Sequence, residues 1–328
     1  MTELVADDKL ATRDNLADEP ALNPGDERWL SLLDRLNDLS VHKHFDAYGD
    51  IAWDDPEYLL EPTDPRWELD PELDPLGATE WYKSLPADKR ARLGCELVAS
   101  KMKLGLIFEN ILKQGLLRFA MTLPNGAPEF RYAYHEVIEE AQHSLMFQEF
   151  VNRTGYDAPG LSRIDGPANA WIVGLGKRFP QLFFLFVLGG EDPIDYVQRR
   201  ELRSDRPIHP LLERIMRIHV TEEARHLSFA RHYLKRTVPS LSRARKAQLA
   251  IFAPLILGQM AQLMLKPSRR LVQRYDIPKH VIDEAYTNNP RHHAETIASL
   301  TKVKKLCSDL GLMRAPYSRI WKTVGLDG

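Results

Sequence analysis

Two segments of this 328-residue chain set a glutamate three positions before a histidine: Glu140-x-x-His143 and, 83 residues on, Glu223-x-x-His226, with His219 one turn before Glu223. On a helix, positions three and four apart share a face, so each segment aims its side chains at one point. Carboxylates and imidazoles together suit iron or manganese, and a bridging carboxylate lets two such ions sit close enough to act on one dioxygen molecule. No thiolate is needed. A single Glu-x-x-His arises readily on any charged helix face, whereas two copies on separate helices point to a centre for two metal ions.

Such a centre is completed by one glutamate from each of two further helices, the ligand set of ferritin-like carboxylate proteins. Glu109 lies in Leu106-Ile-Phe-Glu-Asn-Ile-Leu112, where a bare charge among apolar neighbours is costly. Its alternative is a buried ion pair with Lys113, and Glu96 is its competitor on the same helix. Glu191 follows Gly189-Gly190, with Asp192 and Asp195 as rivals in the same turn. Pro193 removes a helical hydrogen bond there and is expected to distort the backbone. Around Glu140, the residues Glu136 and Phe147 share the ligand face, while Glu139 is rotated by about 100°. Glu136 and Glu139 therefore either support the ligands from behind or face solvent, and His135 falls outside the set. His219 either adds a third nitrogen or bonds to Glu222 or Glu223.

The elements that carry these residues show helical periodicity. Leu93, Leu97, Leu104, Ile107, Ile111, Leu112 and Leu116 predict a helix over about 88–121, ended by Pro124-Asn-Gly. A second spans about 128–153 and stops before Gly155. After a Gly/Pro-containing connection at 156–169, the run Leu182-Phe-Phe-Leu-Phe-Val-Leu188 is apolar all round and belongs to a deeply buried helix. A fourth runs from Pro210 to about Thr237, and further helices follow at roughly 242–275, 278–288 and 292–311. No alternating strand pattern competes, so the fold class is all-α: a four-helix bundle core with additional helices.

Composition bounds the rest. Residues 1–80 hold 22 Asp/Glu against 6 Lys/Arg, while residues 81–328 hold 24 against 38, so a net charge of −2 conceals two oppositely charged parts. Residues 1–85 read as an acidic, proline-rich arm with one short amphipathic helix at Trp29–Leu36, packing on a basic helical body at 86–328. The cations of that body are spread along helices rather than clustered, which argues against a nucleic-acid partner. Cys95 and Cys307 show no paired spacing, and the amino-terminal residues lack the basic start and apolar run of an export signal, so a cytoplasmic location is expected. Leu249–Leu265 carries no formal charge over 17 residues, but Pro254, Gln259 and Gln262 interrupt it, favouring a buried helix over a membrane span.

The chain resembles the p-aminobenzoate N-oxygenase (AurF-like) family of non-haem di-iron oxygenases. The resemblance rests on Ile218-His-Val-Thr-Glu-Glu-Ala-Arg-His-Leu-Ser-Phe-Ala230, Glu139-Glu-Ala-Gln-His-Ser-Leu-Met-Phe147, Phe108-Glu-Asn-Ile111 and Gly189-Gly-Glu191. It covers roughly residues 85–235. The resemblance implies Glu109, Glu140, His143, Glu191, His219, Glu223 and His226 as ligands of two iron ions, His219 being the family's extra histidine. It further implies an enzyme that uses dioxygen and an external electron donor to oxidise a small-molecule amine, through hydroxylamine towards nitro. Hydroxylation or desaturation of a C–H bond and non-catalytic metal binding are the competing functions. The family's carboxylate-binding arginine has no assigned counterpart, Arg291 and Arg314 being candidates by charge alone. Helical faces left over after one bundle is filled would suit a homodimer.

Overall fold

The computed structural model describes residues 24–160 and 166–326. Residues 1–23 of the expected arm, and 161–165 of the connection before the third ligand helix, lie outside the described residues. The helices are α1 Pro24–His42, α2 Glu80–Lys83, α3 Ala87–Ala120, α4 Glu129–Thr154, α5 Gly166–Arg178, α6 Pro180–Glu201, α7 Pro210–Thr237 and α8 Arg243–Met264. Shorter ones follow: α9 Arg269–Arg274, α10 Lys279–Ile282, α11 Pro290–Ser299, α12 Thr301–Asp309 and α13 Ser318–Thr323. No strand occurs among the described residues, and the fold is all-α.

The boundaries follow local chemistry. Gly155 ends α4 in the left-handed region at φ 67°, which only glycine adopts without strain. Pro210 opens α7 with His209 as its cap. Beyond α8 the expected helix over 242–275 divides, because Pro267 disfavours helical backbone at Lys266 before it. The expected helix over 292–311 likewise divides at Leu300. Pro193 sits inside α6, which is helical without a break from Pro180 to Glu201, so the proline does not interrupt the helix that carries Glu191.

The apolar run Leu182–Leu188 is wholly buried, and α3, α4, α6 and α7 come together around one point. Close approach of α3 and α6 depends on Gly190: a Cβ there would lie 2.2 Å from the Phe108 ring. That contact brings Glu109 and Glu191 to the same level.

The amino-terminal part is built into the core. Trp29, Leu33 and Leu36 of α1, a helix of 19 residues rather than a short one, join the cluster that contains Phe184 and Phe229. Trp53 and Trp67 join a second cluster with Phe147, Phe150 and Met216. Trp67 stacks on His209 at 4.5 Å, and its carbonyl lies so close over Gly94 that a Cβ there would sit 1.8 Å from it. Opposite charges also meet, as Arg90–Glu68 and Arg153–Asp54 at 3.0 Å and as Arg236–Asp26 and Arg291–Glu72. The apolar term dominates: each fully buried large side chain stabilises by about 1.5–3 kcal/mol, an exposed ion pair by about 0–1 kcal/mol.

The stretch Arg243–Arg274 is long and apolar enough to cross a membrane by length and composition. In the fold, α8 lays Leu249, Ala253, Leu257 and Ala261 into the core against α6, while Phe252, Leu255 and Leu263 remain exposed.

Candidate metal centre

Glu109 reaches the centre from α3, Glu140 and His143 from α4, Glu191 from α6, and His219, Glu223 and His226 from α7; all seven are buried. Their polar atoms gather into three overlapping groups: Glu109, His143, His219 and Glu223; Glu140, Glu223 and His226; Glu109, Glu140 and Glu191. Within each group the atoms lie within 4.8 Å of one another. Nδ1 of His143 is 3.1 Å from Glu140 and 3.5 Å from Glu223, and Nδ1 of His226 is 2.9 Å from Glu140 and 3.2 Å from Glu223. Nε2 of His219 lies 3.7 Å from Glu109 and 3.6 Å from Glu223.

The rival assignments are occupied elsewhere. Asp192 pairs with Arg231, and Asp195 with Arg199 at 2.6 Å and Lys302 at 3.6 Å. Glu96 is held by Arg274 at 2.7 Å. Lys113 donates to the Glu140 carbonyl at 3.0 Å and to Ser144, and feels Glu109 through space rather than in an ion pair. His135 accepts a hydrogen bond from Arg131 at 3.3 Å, away from the cluster.

The opposite nitrogens of two histidines have carboxylate partners, each from the other helix. Nε2 of His143 is 2.9 Å from Glu222, and Nε2 of His226 is 2.7 Å from Glu139. Arg225 ties the two carboxylates together, 2.8 Å from Glu139 and 3.3 Å from Glu222. The backbone N–H of Phe45 donates to Glu222 at 2.9 Å. Glu139 and Glu222 thus fix ring orientation from behind, as outer partners of metal-binding imidazoles do. Glu139 is buried, which removes the solvent-facing alternative. His219 is held differently: its Nδ1 lies 2.9 Å from the amide oxygen of Gln198, so neither Glu222 nor a full charge supports it. The signal for the outer pair was in the sequence, because both segments read Glu-Glu-Ala-x-His. Gln198 had no such signal.

Glu136 is also fully buried, one turn before Glu140, and neither of its oxygens is hydrogen-bonded. Burial pushes its carboxyl well above the usual range.

The cluster's electrostatics call for cations. Burial, then repulsion from Glu140, drives the Glu109 carboxyl far up, and burial with repulsion from Glu223 and Glu140 does the same to Glu191. Burial opposes ionisation of Glu140, yet His226 and several hydrogen bonds outweigh it and hold that carboxyl well down. Burial likewise lowers His143, but hydrogen bonds to Glu140 and Glu222 push it up to about 10. His219 is driven well below its ordinary value by burial and by His143. One oxygen each of Glu109, Glu191 and Glu223 is buried without a hydrogen bond. An uncompensated buried ion costs several kcal/mol, a large share of the roughly 5–15 kcal/mol by which a domain is stable, and the four carboxylates carry four charges when all are ionised. Two divalent cations would match those four charges and meet the orphaned oxygens, and the residues present fit a two-metal centre.

A cavity of about 170 Å³ opens onto one side of the cluster, at Glu109, Glu191 and His219. Phe108, Phe147, Ile194, Met102 and Met216 give it apolar walls, and residues Arg66–Asp70, Leu73 and Asp74 of the amino-terminal part line it as well. Arg291 and Arg314 are not among the lining residues, and Arg291 is engaged by Glu72.

The sequence model of the family described as P-aminobenzoate N-oxygenase AurF matches residues 27–311. An uncharacterized protein of Mycobacterium tuberculosis is 37% identical over 303 residues, covering 92% of this chain and 89% of its own. One from Mycobacterium bovis shows the same identity and coverage. No solved structure matches the chain at a significant level.

Proposed function

The chain belongs to the P-aminobenzoate N-oxygenase AurF family, and from that premise we propose that it is a ferritin-like di-iron enzyme that uses dioxygen to oxidise the nitrogen of an arylamine. The observation that carries this reading is the meeting of the cavity with the carboxylate–histidine cluster at Glu109, Glu191 and His219. In this reading all seven clustered side chains hold the two ions. When bound, the metal pair supplies the electrons that activate dioxygen.

The chain's own residues do the rest. Phe108, Ile194 and Met216 hold the ring and keep water from it. Glu139 and Glu222 keep His226 and His143 in the tautomer that leaves Nδ1 free for a metal, while Gln198 leaves Nε2 of His219 free. His219, uncharged because burial lowers it, can offer that lone pair at neutral pH. The first step converts R–NH2 to R–NHOH: one dioxygen oxygen enters the new N–O bond, the other leaves as water, and an external donor supplies two electrons and two protons.

Buried, unpaired thiols at Cys95 and Cys307 support a reducing cytoplasmic location. The exposed side chains of Trp171, Phe252, Leu255 and Leu263 would be covered in a homodimer.

The deciding experiment mixes anaerobically iron-loaded, reduced protein with isotopically labelled dioxygen and an arylamine, and reads products by mass spectrometry. A hydroxylamine carrying one labelled oxygen is expected. A product hydroxylated or desaturated only at carbon would move the assignment to the C–H oxidising class. Absence of oxygen consumption would leave a metal-binding protein.

A further inference from the structure

Helix α6 lays one stripe of side chains along the cavity, Glu191, Ile194, Gln198 and Glu201, at steps of three, four and three residues. Those steps keep to one face, and ten residues of helix span about 15 Å. The stripe therefore starts with a carboxylate at the metal cluster and ends with another at the opposite end of the cavity. Beside it, α3 runs the other way, with Glu109 at the cluster and Lys101, eight residues earlier, near Glu201.

Charge at that far end is not balanced. Asp74 accepts hydrogen bonds from the Tyr286 hydroxyl at 2.7 Å and the Leu76 N–H at 3.1 Å, and Lys101 lies 3.7 Å from it. Asp70 accepts from the Glu72 N–H at 2.8 Å and from Ser204 at 3.4 Å. No hydrogen bond or ion pair among the described residues reaches the Glu201 carboxyl, which lines the cavity and feels Lys101 only through space. Of the other cations in the wall, Arg66 is held by Asp64 at 3.0 Å and Arg206 is exposed. Three carboxylates, Glu201, Asp70 and Asp74, thus line that end against Lys101, already engaged by Asp74, and the exposed Arg206, an excess of negative charge. Burial pushes the Glu201 carboxyl upward, the mark of a group that a donor or a cation has yet to meet.

Resting on the arylamine reading above, we propose that Glu201 reads the distal end of the substrate, so that the cavity takes an elongated amine whose end remote from the oxidised nitrogen is itself cationic, such as a primary ammonium. An arylamine with a carboxylate at that end would set its charge against Glu201, Asp70 and Asp74.

The test is calorimetric titration of the oxidised, iron-loaded protein, without reductant, with three arylamines of similar shape: 4-(2-aminoethyl)aniline, neutral 4-ethylaniline and 4-aminophenylacetate. The ammonium compound is expected to bind at least about tenfold more tightly than the carboxylate, with the neutral one between them. Glu201→Gln, with an unchanged circular dichroism spectrum, should cut that ratio to about threefold or less, and Glu201→Lys should invert it. Wild-type protein that prefers the carboxylate, shows no preference or binds none of the three overturns the proposal whatever the variants do; an unchanged ratio in folded Glu201→Gln overturns it as well. Since binding is read without turnover, an ammonium arylamine that binds as expected yet yields no N-oxygenated product would sink the proposed reaction and leave the role of Glu201 standing.

Discussion

The segments on α4 and α7 share the pattern Glu-Glu-Ala-x-His and differ at two positions with consequences. One turn before the inward glutamate, α4 carries Glu136 and α7 carries His219; between alanine and histidine, α4 carries Gln142 and α7 carries Arg225. His219 lines the cavity, whereas Glu136 is sealed in, without a hydrogen bond and with its carboxyl held high by burial. A buried acid without a hydrogen bond fills space on the closed side, and a third nitrogen stands on the open one. Arg225 points inward and pairs with both outer carboxylates, whereas Gln142 points outward and binds the Ala47 N–H and Asp46. A duplicated frame thus builds a near-symmetric centre, and two departures from it decide which face works and which is anchored.

Removing an inward glutamate should have the largest effect. Glu140→Ala takes away a carboxylate close to both His143 and His226, and iron-loaded protein should fall from about two ions per chain to well under one by elemental analysis. Full occupancy would break the α4 side of the comparison. Next in size is the contrast between His219→Ala and Glu136→Gln. The first should retain the helical circular dichroism signal yet lose at least about tenfold in arylamine turnover; the second, which swaps a buried side chain without hydrogen bonds for another of the same shape, should keep turnover within about threefold. Equal losses would mean that open and closed sides are not distinct. The smallest effect belongs to the outer pair: Glu139→Gln and Glu222→Gln should each weaken metal affinity by about 10–100-fold, and by similar factors, in a competitive chelator titration. Markedly unequal losses would show that the two helices do not support their partner's histidine alike.

Much of this was legible in the chain, because amphipathic helices announce themselves through leucine spacing and a ligand turn fixes angles within one helix. Of the four helices that carry the cluster, α3, α4 and α7 begin and end close to where periodicity, Pro210 and Gly155 place them, the apolar run Leu182–Leu188 falls within α6, and the seven candidate residues converge. Relations between helices were less visible. Spacing alone puts Glu139 off the ligand face of its own helix, and only the packing of α4 on α7 delivers it to His226. Choosing Glu191 over Asp192 and Asp195 likewise needed their partners, Arg231, Arg199 and Lys302, which come from other turns and helices. The amino-terminal part read as an arm laid on a body; Trp29 in the core and Trp67 over Gly94 instead make its residues part of the core and of the cavity wall, which no local pattern encodes.

The hydrogen bond from Phe45 to Glu222 joins residues 177 positions apart. During synthesis the donor leaves the ribosome long before its acceptor exists, and the histidine that the acceptor orients sits midway between them in sequence. Closure over such a distance comes late in folding. The proposed pocket for metal is therefore among the last parts of the molecule to be finished, and a chain halted before residue 226 would hold α1–α6 entire and six of the seven clustered side chains, without the completed centre.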